Sequence, residues 1–294
     1  MARNYLELLG SRDLQETSPA GWRRAPASSA MLAAVTAIKH VMIDRLALSG
    51  QGELEVRQRE LDHVVVEAPL AISARGQRVL TVMRTPGDDQ ELVAGLLHAE
   101  GLPSAPMQEA EGPSGEASVD VDLPPSSFAP RSVTSVSGCG VCGRQTIADL
   151  ERKASSVASD LMVPAHVIAS LPARLREHQA VFALTGGLHG AALATPAGEL
   201  VVVREDVGRH NAVDKVVGWA LATGQAAGQL VLVVSGRLGY EIAQKAVAWG
   251  VPIVVSVSAP SSLAIEVAER FRVALCGFTR GDRFNVYSHG WRIE

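Results

Sequence analysis

The sequence predicts an α/β protein whose mixed, largely parallel sheet is covered by helices on both faces. Three observations support this prediction. Helix-type and strand-type patterns alternate from about residue 145 onwards. The strand candidates there are nearly continuous apolar runs, as in strands buried on both faces. The composition, 47% hydrophobic and 4% aromatic with 27 glycines, is typical of an Ala/Val/Leu-rich globular chain and excludes a disordered or fibrous one.

Length, charge and apolar runs limit the class of function. A chain of 294 residues can form two domains with a sizeable core. The net charge of −4 gives no overall attraction to nucleic acid, so an anionic ligand needs a local cationic cluster. No apolar run reaches the roughly 18 residues of a transmembrane helix. The segment 25–38 lacks the hydrophobic centre of a signal peptide. We therefore expect a cytosolic protein without membrane contact.

The N-terminal part of the sequence predicts an extension followed by a small α+β domain. Residues 1–45 show no clear core pattern and are expected to be an N-terminal extension. The predicted elements that follow are strands at 63–72 and 79–84, a helix capped by Asp88 that runs to His98 and stops at Gly101, and a half-exposed strand at 116–123. Loops rich in Pro, Ser, Ala and Gly surround the last strand and indicate a boundary. The predicted division is an extension at 1–45, a small domain at 46–130 and a larger domain at 131–294.

The larger domain contains the regular alternation. A helix is predicted from about Gln145, then strands at Val181–Thr185 and Leu200–Arg204, which a turn at Pro196 can join as a hairpin. The remaining predicted elements, in chain order, are a helix at 212–223, a strand at 230–235, a helix at 240–249, a strand at 253–258, a helix at 262–270 and a strand at 273–278. This order predicts strand ends that share one edge of the sheet.

Polar loops follow the predicted strands of this domain. They are Thr185–His189, Arg204–Asn211, Ser235–Arg237, Ser258–Ser261 and Phe278–Arg283. Ligands of open α/β sheets bind at the carboxyl ends of parallel strands. Helix N-termini predicted after Gly236 and Ser261 offer free N–H groups to an anion, and arginines at 204, 209, 237, 280 and 283 can make bidentate phosphate contacts. Any single loop is explained equally well by helix caps and salt bridges. All five together favour a phosphate-bearing ligand.

A Cys-x-x-Cys motif lies between glycines in Ser137–Gly143. Cys139 and Cys142 precede a predicted helix, whose dipole stabilises a thiolate, and a thiolate can take the outer sulfur from a persulfide. The motif taken alone supports redox, metal and sulfur roles about equally. A four-cysteine zinc site is excluded within one chain because the only other cysteine is Cys276. Cys276 lies in an apolar strand and is expected to be a buried core residue.

A zinc deaminase is the rival interpretation of the same cysteines. His98-Ala-Glu100 followed by Cys139-Gly-Val-Cys142 imitates the His-x-Glu … Cys-x-x-Cys signature of zinc nucleobase deaminases. No proline precedes Cys139, however, and two proline-rich loops separate the two halves. His98 also lies at the end of a predicted helix, where a capping role fits. The expectation is therefore that the chain holds no metal of its own.

The motifs together resemble the FdhD family, the formate dehydrogenase accessory sulfurtransferases. The similar region runs from about Asp62 to Tyr287. Its strongest segments are Cys139–Gly143, Thr185–Gly190, Arg204–Lys215, Ser235–Arg237 and Gly277–Arg280. The block beginning at Arg204 is the most specific of them. Residues 1–45 lie outside the resemblance.

The resemblance implies a three-layer, cytidine-deaminase-like fold and a sulfurtransferase activity in the cytoplasm. It implies that Cys139 receives a persulfide sulfur from a cysteine desulfurase, that Cys142 assists, and that the sulfur passes to a molybdenum bis(molybdopterin guanine dinucleotide) cofactor before insertion into formate dehydrogenase. It further implies a homodimer. The residues expected at the cofactor are Phe278, Thr279, Arg280, Gly281, Asp282 and Arg283, together with His189, Arg204, Asp206, His210, Ser235, Arg237 and Ser261.

One alternative from another class shares the strand-end loops. A chaperone that binds and inserts the molybdenum cofactor without sulfur chemistry would need those loops but not Cys139. Likewise, His189, Asp206 and His210 can each be a buried hydrogen-bonding residue instead of a ligand contact.

Overall fold

The computed structural model describes residues 36–50, 52, 54–112, 115–128, 150 and 154–294. These residues form three sheets of two, four and six strands. The mixed α/β class predicted from the sequence is confirmed, whereas the cytidine-deaminase-like layering stays a prediction. No helix in the described ranges is both long and apolar enough to cross a membrane.

A long two-stranded hairpin comes first. Strands β1 (Ile38–Leu48) and β2 (Leu54–Val65) are antiparallel over their whole length, and β1 runs across the boundary predicted at residue 45. Its base is held by a small apolar cluster that includes Ala37, Val181 and Leu188. We call β1 and β2 together the hairpin arm.

The second sheet forms a small α/β layer. Its strands are β3 (Ala68–Ala74), β4 (Gln77–Arg84), β5 (Met107–Glu111) and β6 (Ala117–Val121), in the order β4-β3-β6-β5. Helix α1 (Asp89–Ala99) packs on it through Leu92, Val93 and Leu96. The single strand predicted at 63–72 is wrong, because the chain leaves β2 at Val65 and starts β3 at Ala68 with a different pairing partner.

The third sheet holds the C-terminal half of the chain. Its strands are β7 (His189–Ala194), β8 (Leu200–Asp206), β9 (Val231–Val234), β10 (Ile253–Ser256), β11 (Ala274–Arg280) and β12 (Arg283–Ser288), in the order β12-β11-β10-β9-β7-β8. Only β9, β10 and β11 are parallel to one another. The prediction of a largely parallel sheet is therefore correct for its centre and wrong for its edges, which are antiparallel hairpins.

Helices cover both faces of this sheet. On one face lie α4 (Arg209–Thr223), α5 (Tyr240–Trp249) and α6 (Ser262–Phe271), and on the other lies α2 (Ala165–Glu177). Alternate strand residues supply the two cores, as Leu232 and Val233 of β9 illustrate. The part of the predicted helix from Gln145 to 149 lies outside the described residues.

The segment Val181–Thr185 is helical, so its prediction as a strand is wrong. Helix α3 (Ala180–Thr185) is capped from outside, because the carboxylate of Glu205 accepts hydrogen bonds from the N–H groups of Val181 (2.9 Å) and Phe182 (2.8 Å). Gly186 then ends the helix with φ +66°. The predicted pairing of this segment with Leu200–Arg204 is therefore wrong as well, since the hairpin at this turn joins β8 to β7.

Helices α1 and α4 join the second and third sheets by an unusually close crossing. A Cβ atom on Gly95 would collide with the backbone carbonyl of Asp214, and one on Gly218 would collide with the carbonyl of Glu91. Each glycine therefore lets the other helix's backbone approach. Beside the crossing, Arg204 makes two hydrogen bonds to Glu91 at 2.7 and 2.8 Å. This contact fixes the small layer against the six-stranded sheet.

Candidate functional site

The loops predicted to share one edge of the sheet do meet there. Gly190 N–H donates to Ser235 Oγ (2.9 Å), and Ser256 Oγ donates to the carbonyl of Gly236 (2.6 Å). Further along, Leu238 N–H donates to the Ala259 carbonyl (3.1 Å) and Phe278 N–H to the Ser258 carbonyl (3.1 Å). Hydrogen bonds thus connect the ends of β9, β10 and β11 to the start of β7, and we call this edge of the sheet the strand-end edge.

The loop before β7 reaches this edge, but the element that precedes it was predicted wrongly. Thr185–His189 was expected to follow a strand, but it follows helix α3 and leads into β7. Because β7 is antiparallel to both β8 and β9, its first residue lies beside their last ones, and His189 is paired with Asp206. His189 therefore lies at the expected edge of the sheet, although it begins an antiparallel strand instead of following a parallel one.

His189 is the half-buried imidazole at the centre of this edge. Its ring packs against Gly236, where an added Cβ atom would lie 3.2 Å from His189 Nδ1 and 3.6 Å from Arg209 Cβ. Burial lowers the pKa of His189, and the nearby charges of Arg209 and Arg237 lower it further. The ring is therefore neutral at pH 7 and can both donate and accept a hydrogen bond.

His210 is a second neutral imidazole, at the start of helix α4. It is 5% exposed, and its Nε2 lies 3.8 Å from Glu241 Oε2. Burial, and after it the charge of Arg209, lowers the pKa of His210 to about 4. Arg209 thus acts on both histidines, and its Nε is buried without a hydrogen-bond acceptor among the described residues. An anion beside Arg209 would complement the two neutral rings and the cation.

Arg204 and Asp206 have structural partners within the chain. Arg204 is 7% exposed and forms ion pairs with Glu91 (2.7 Å) and Asp88 (3.3 Å). Asp206 is fully buried and forms an ion pair with Lys215 Nζ (2.9 Å). These contacts support the alternative, raised above for each loop taken alone, that some polar residues at strand ends serve salt bridges and caps.

Asp206 also fixes the turn between β8 and α4. Its Oδ1 accepts from Gly208 N–H (2.8 Å) and from Asn211 Nδ2 (2.9 Å), and its Oδ2 accepts from Thr85 N–H (3.1 Å). Asn211 donates as well to the carbonyl of Met83 (2.9 Å). Asp206 therefore holds the start of α4, and with it His210, in place. The sequence analysis did not identify Thr85 as one of these contacts. The Thr-Pro-Gly turn at 85–87 is the sequence signal that could have indicated it.

The segment Phe278–Arg283 forms the turn of the β11–β12 hairpin. Phe278 has φ +52° and a half-exposed side chain, and Gly281 has φ +60° at the turn. Arg280, Asp282 and Arg283 are exposed. Thr279 is fully buried, with an Oγ1 that lacks a hydrogen-bond partner among the described residues. The turn presents cations and an aromatic ring beside the strand-end edge.

Three further predicted residues have distinct positions. Ser235 is half-buried and its hydroxyl ties β9 to β7, while Arg237 is exposed. The helix predicted at 240–249 is confirmed, and between Gly236 and its start Leu238 is buried and pairs with Pro260 in an isolated bridge. Ser261 is confirmed as a helix cap, since its Oγ accepts from Ala264 N–H (3.2 Å).

Of the three cysteines and the histidine of the rival zinc site, only Cys276 and His98 belong to the described residues. Cys139 and Cys142 lie outside the described residues. Cys276 is fully buried, as predicted, and burial raises the pKa of its thiol to about 12. His98 has its Nε2 within 3.1 Å of the Ala248 carbonyl, to which it can donate. That contact joins helix α1 to helix α5, so His98 has a structural role.

Comparisons with known proteins agree with one another. The profile of the FdhD/NarQ family matches residues 65–294. A sulfur carrier protein FdhD from Thermoplasma acidophilum is 45% identical over 247 residues, covering 79% of this chain and 87% of the relative. Another from Nocardia farcinica is 42% identical over 274 residues, covering 88% and 95%. Among solved structures, a candidate formate dehydrogenase accessory protein from Desulfotalea psychrophila matches with a TM-score of 0.67 and 28% identity, covering 87% of this chain and 99% of its own.

Proposed function

Because the chain belongs to the FdhD/NarQ family, we propose that it is a sulfur carrier and sulfurtransferase that serves formate dehydrogenase. The observation that carries the proposal is the family match over residues 65–294, a range that contains both Cys139 and Cys142. Relatives with 42 to 45% identity over most of the chain are named sulfur carrier proteins.

The chemistry begins at Cys139. Its thiolate attacks the outer sulfur of a persulfide on a cysteine desulfurase, forms Cys139–S–SH, and releases the desulfurase thiolate. The outer sulfur then passes to a bis(molybdopterin guanine dinucleotide) cofactor, which is the substrate here. In this step the Cys142 thiolate attacks Sγ of Cys139, the bond from Sγ to the outer sulfur breaks, and that sulfur leaves as hydrosulfide to bind the molybdenum. Formation of the Cys139–Cys142 disulfide supplies the two electrons, and a cellular thiol reductant reopens the disulfide. Cys142 assists this transfer. Insertion of the sulfurated cofactor into formate dehydrogenase completes the role, in the cytoplasm.

The strand-end edge suits the nucleotide arms of that substrate. Arg209, Arg237 and Arg280 supply guanidinium groups that can pair with phosphate. The neutral rings of His189 and His210 can accept hydrogen bonds from a purine or a ribose hydroxyl. Arg204 and Asp206 contribute by holding this edge in shape.

The test of sulfur transfer is the mass of the full-length protein after incubation with a cysteine desulfurase and L-cysteine. We expect a gain of about 32 Da, one sulfur atom, that a thiol reductant reverses. Cys139→Ala should abolish the gain. Cys276→Ala is the matched control, since the buried thiol with its raised pKa should not accept sulfur and its removal should leave the gain intact. A gain that survives in Cys139→Ala would contradict the assignment.

Activation of formate dehydrogenase separates this proposal from its alternative. A chaperone that inserts the cofactor without sulfur chemistry would still activate the enzyme when Cys139 is alanine, because only the strand-end edge is needed. A sulfur carrier would not. Stoichiometric zinc in the purified protein would instead favour the deaminase interpretation.

A further inference from the structure

A pair of histidines lies across the two strands of the hairpin arm. His40 of β1 is paired directly with His63 of β2, and their ring centroids are 4.7 Å apart with the ring planes at 65°. Side chains that face each other across an antiparallel pair have Cβ atoms only about 4.5 to 5.5 Å apart. The register of the arm therefore holds the two imidazoles side by side, although they are far apart in the sequence.

The rings of this pair differ from three other imidazoles of the chain in their hydrogen bonds. His98, His178 and His289 each have a ring nitrogen 2.8 to 3.1 Å from a backbone carbonyl. Within the described residues, the rings of His40 and His63 contact each other and make no hydrogen bond to a protein group. His40 is exposed and His63 is half-buried. Their nitrogen lone pairs are therefore open to a ligand.

Apolar side chains flank the pair on its face of the arm. Because alternate strand residues point to the same side, the neighbouring pairs on this face are Ile38 with Val65 and Met42 with Leu61. Neither pair carries a charge that would repel a cation. The adjacent ammonium group, that of Lys39, belongs to the opposite face. The two imidazoles are therefore the strongest metal ligands on this part of the arm.

The separation of the rings fits coordination of a single metal ion. Imidazole nitrogens bind zinc at about 2.0 to 2.1 Å. Two imidazoles at about 90° to 109° around one such ion have ring centroids roughly 4.5 to 5.2 Å apart, and the pair is at 4.7 Å. No cluster of three or more His, Cys, Asp or Glu side chains suited to a metal occurs in the part of the chain that the structure describes. Water or a small ligand would therefore complete the coordination.

A metal ion at this point would tie the arm together where it leaves its support. Ile38 and Val65, the pair next to the histidines, pack against the apolar cluster at the base of the arm. On the other side, Met42 and Leu61 are 51% and 56% exposed. A two-stranded hairpin alone is at best marginally stable in water. An ion that binds only when the strands are paired would therefore stabilise the exposed part of the arm.

We propose that His40 and His63 form a binding site for a divalent transition-metal ion, which clamps the hairpin arm. Neutral imidazole is a ligand for Ni²⁺, Cu²⁺ and Zn²⁺ alike, and Cu²⁺ binds most tightly in this series. The site differs from the rival zinc site, which requires Cys139 and Cys142. Metal on the arm survives removal of both cysteines, whereas metal in the rival site does not. The proposal is independent of sulfur transfer, because it uses no residue of the strand-end edge.

Calorimetric titration of the full-length Cys139→Ala/Cys142→Ala chain with NiCl₂ tests the site, since this background removes the motif thiolates. A single Ni²⁺ should bind per chain. Adding His40→Gln or His63→Gln should weaken binding by about tenfold or more, because loss of even an outer-shell partner of a metal ligand costs that much.

The matched controls for this titration are His166→Gln and His178→Gln in the same background. They remove imidazoles within or at the end of helix α2 and should leave Ni²⁺ binding unchanged. Absence of Ni²⁺ binding in the parent chain, or equal losses in the arm and control variants, would overturn the proposal.

Hydrogen exchange and copper EPR in the same background test the clamp and its ligands. Ni²⁺ should slow exchange of the β1 and β2 amides in the parent chain and leave it unchanged in His63→Gln. With Cu²⁺ as the probe, superhyperfine splitting should report two bound nitrogens in the parent and one in either arm variant. Arm exchange that ignores Ni²⁺, or copper spectra that are the same with and without the two histidines, would contradict the clamp. None of these outcomes bears on the persulfide measurement, so the two proposals fail separately.

Discussion

At the scale of single residues, Arg209 links the two histidines of the strand-end edge. It lowers the pKa of both His189 and His210 in addition to the larger effect of burial. The buried Nε of Arg209 has no hydrogen-bond acceptor among the described residues, and the two neighbouring imidazoles are neutral. An anionic ligand would supply both the acceptor and the opposite charge. This combination depends on Gly236, which leaves room for the ring of His189 against the Arg209 stem.

The buried imidazole of His210 predicts a definite pH dependence of stability. Unfolded His210 takes up a proton near its ordinary pKa of 6.5, whereas in the folded protein it does so only near pH 4. Protons therefore bind preferentially to the unfolded chain, and stability contributed by the neutral ring falls as the pH drops from about 6.5 to about 4. A shift of this size corresponds to at most about 3 kcal/mol.

Urea unfolding of wild type and His210→Gln between pH 7 and 4.5 measures this effect. The variant should lose less stability on acidification than the wild type does. His166→Gln, which removes an exposed imidazole, is the matched control. Parallel pH curves for wild type and His210→Gln would show that the buried ring does not titrate as described.

At the scale of elements, the crossing of α1 and α4 depends on two glycines. Gly95 and Gly218 each face the backbone of the other helix, at Asp214 and Glu91 respectively. Both glycines lie in helix interiors, where glycine itself costs stability. Their presence there is explained by the close approach, which in turn lets Glu91 reach Arg204.

Gly218→Ala should therefore destabilise the protein, although alanine is the better helix former. The added methyl group has no room beside the Glu91 carbonyl, so the helices must move apart at a cost of about 1 to 3 kcal/mol. Urea unfolding provides the measurement. Gly228→Ala is the control, because a Cβ there meets Ser159 at an ordinary 3.6 Å and should change stability by less than about 0.5 kcal/mol. Equal stabilities of the two variants would contradict the close crossing.

For the whole molecule, the same interface predicts a single unfolding transition. The small sheet and the six-stranded sheet share the glycine crossing, the Arg204–Glu91 ion pair and the Lys215 Nζ hydrogen bond to the Thr85 carbonyl (3.0 Å). Lys215 is 1% exposed and its partners come from both layers, Asp206 from one and the Thr85 carbonyl from the other, so separating the layers removes a hydrogen bond from this buried ammonium group. The layers should therefore unfold together, although the sequence divides them into domains near residue 130.

Differential scanning calorimetry is the direct measurement. One peak whose calorimetric and van 't Hoff enthalpies agree is the expected result. Two resolved peaks would show that the layers are independent. Glu91→Gln weakens the ion pair with Arg204 and is expected to lower the single transition temperature without splitting the peak.

By itself the sequence determined the local features that depend on neighbouring residues. Apolar runs placed β9, β10 and β11, and hydrophobic periodicity with caps placed α5 and α6 within a few residues. The motifs determined the family, because the residue types at Arg204–Lys215 and Cys139–Gly143 are specific. They also brought His189, Ser235 and Arg237 to one edge, since strand ends of a single sheet converge.

Only the tertiary structure decided the features that arise from residues far apart in the chain. The carboxylate of Glu205 turned Val181–Thr185 into a helix, and pairing with β8 and β9 set the direction of β7. Glu91, more than a hundred residues away, made Arg204 a structural cation instead of a free phosphate ligand. Local sequence propensity cannot predict such contacts, because the free energy of a buried charge depends on which partner the fold brings within hydrogen-bond distance.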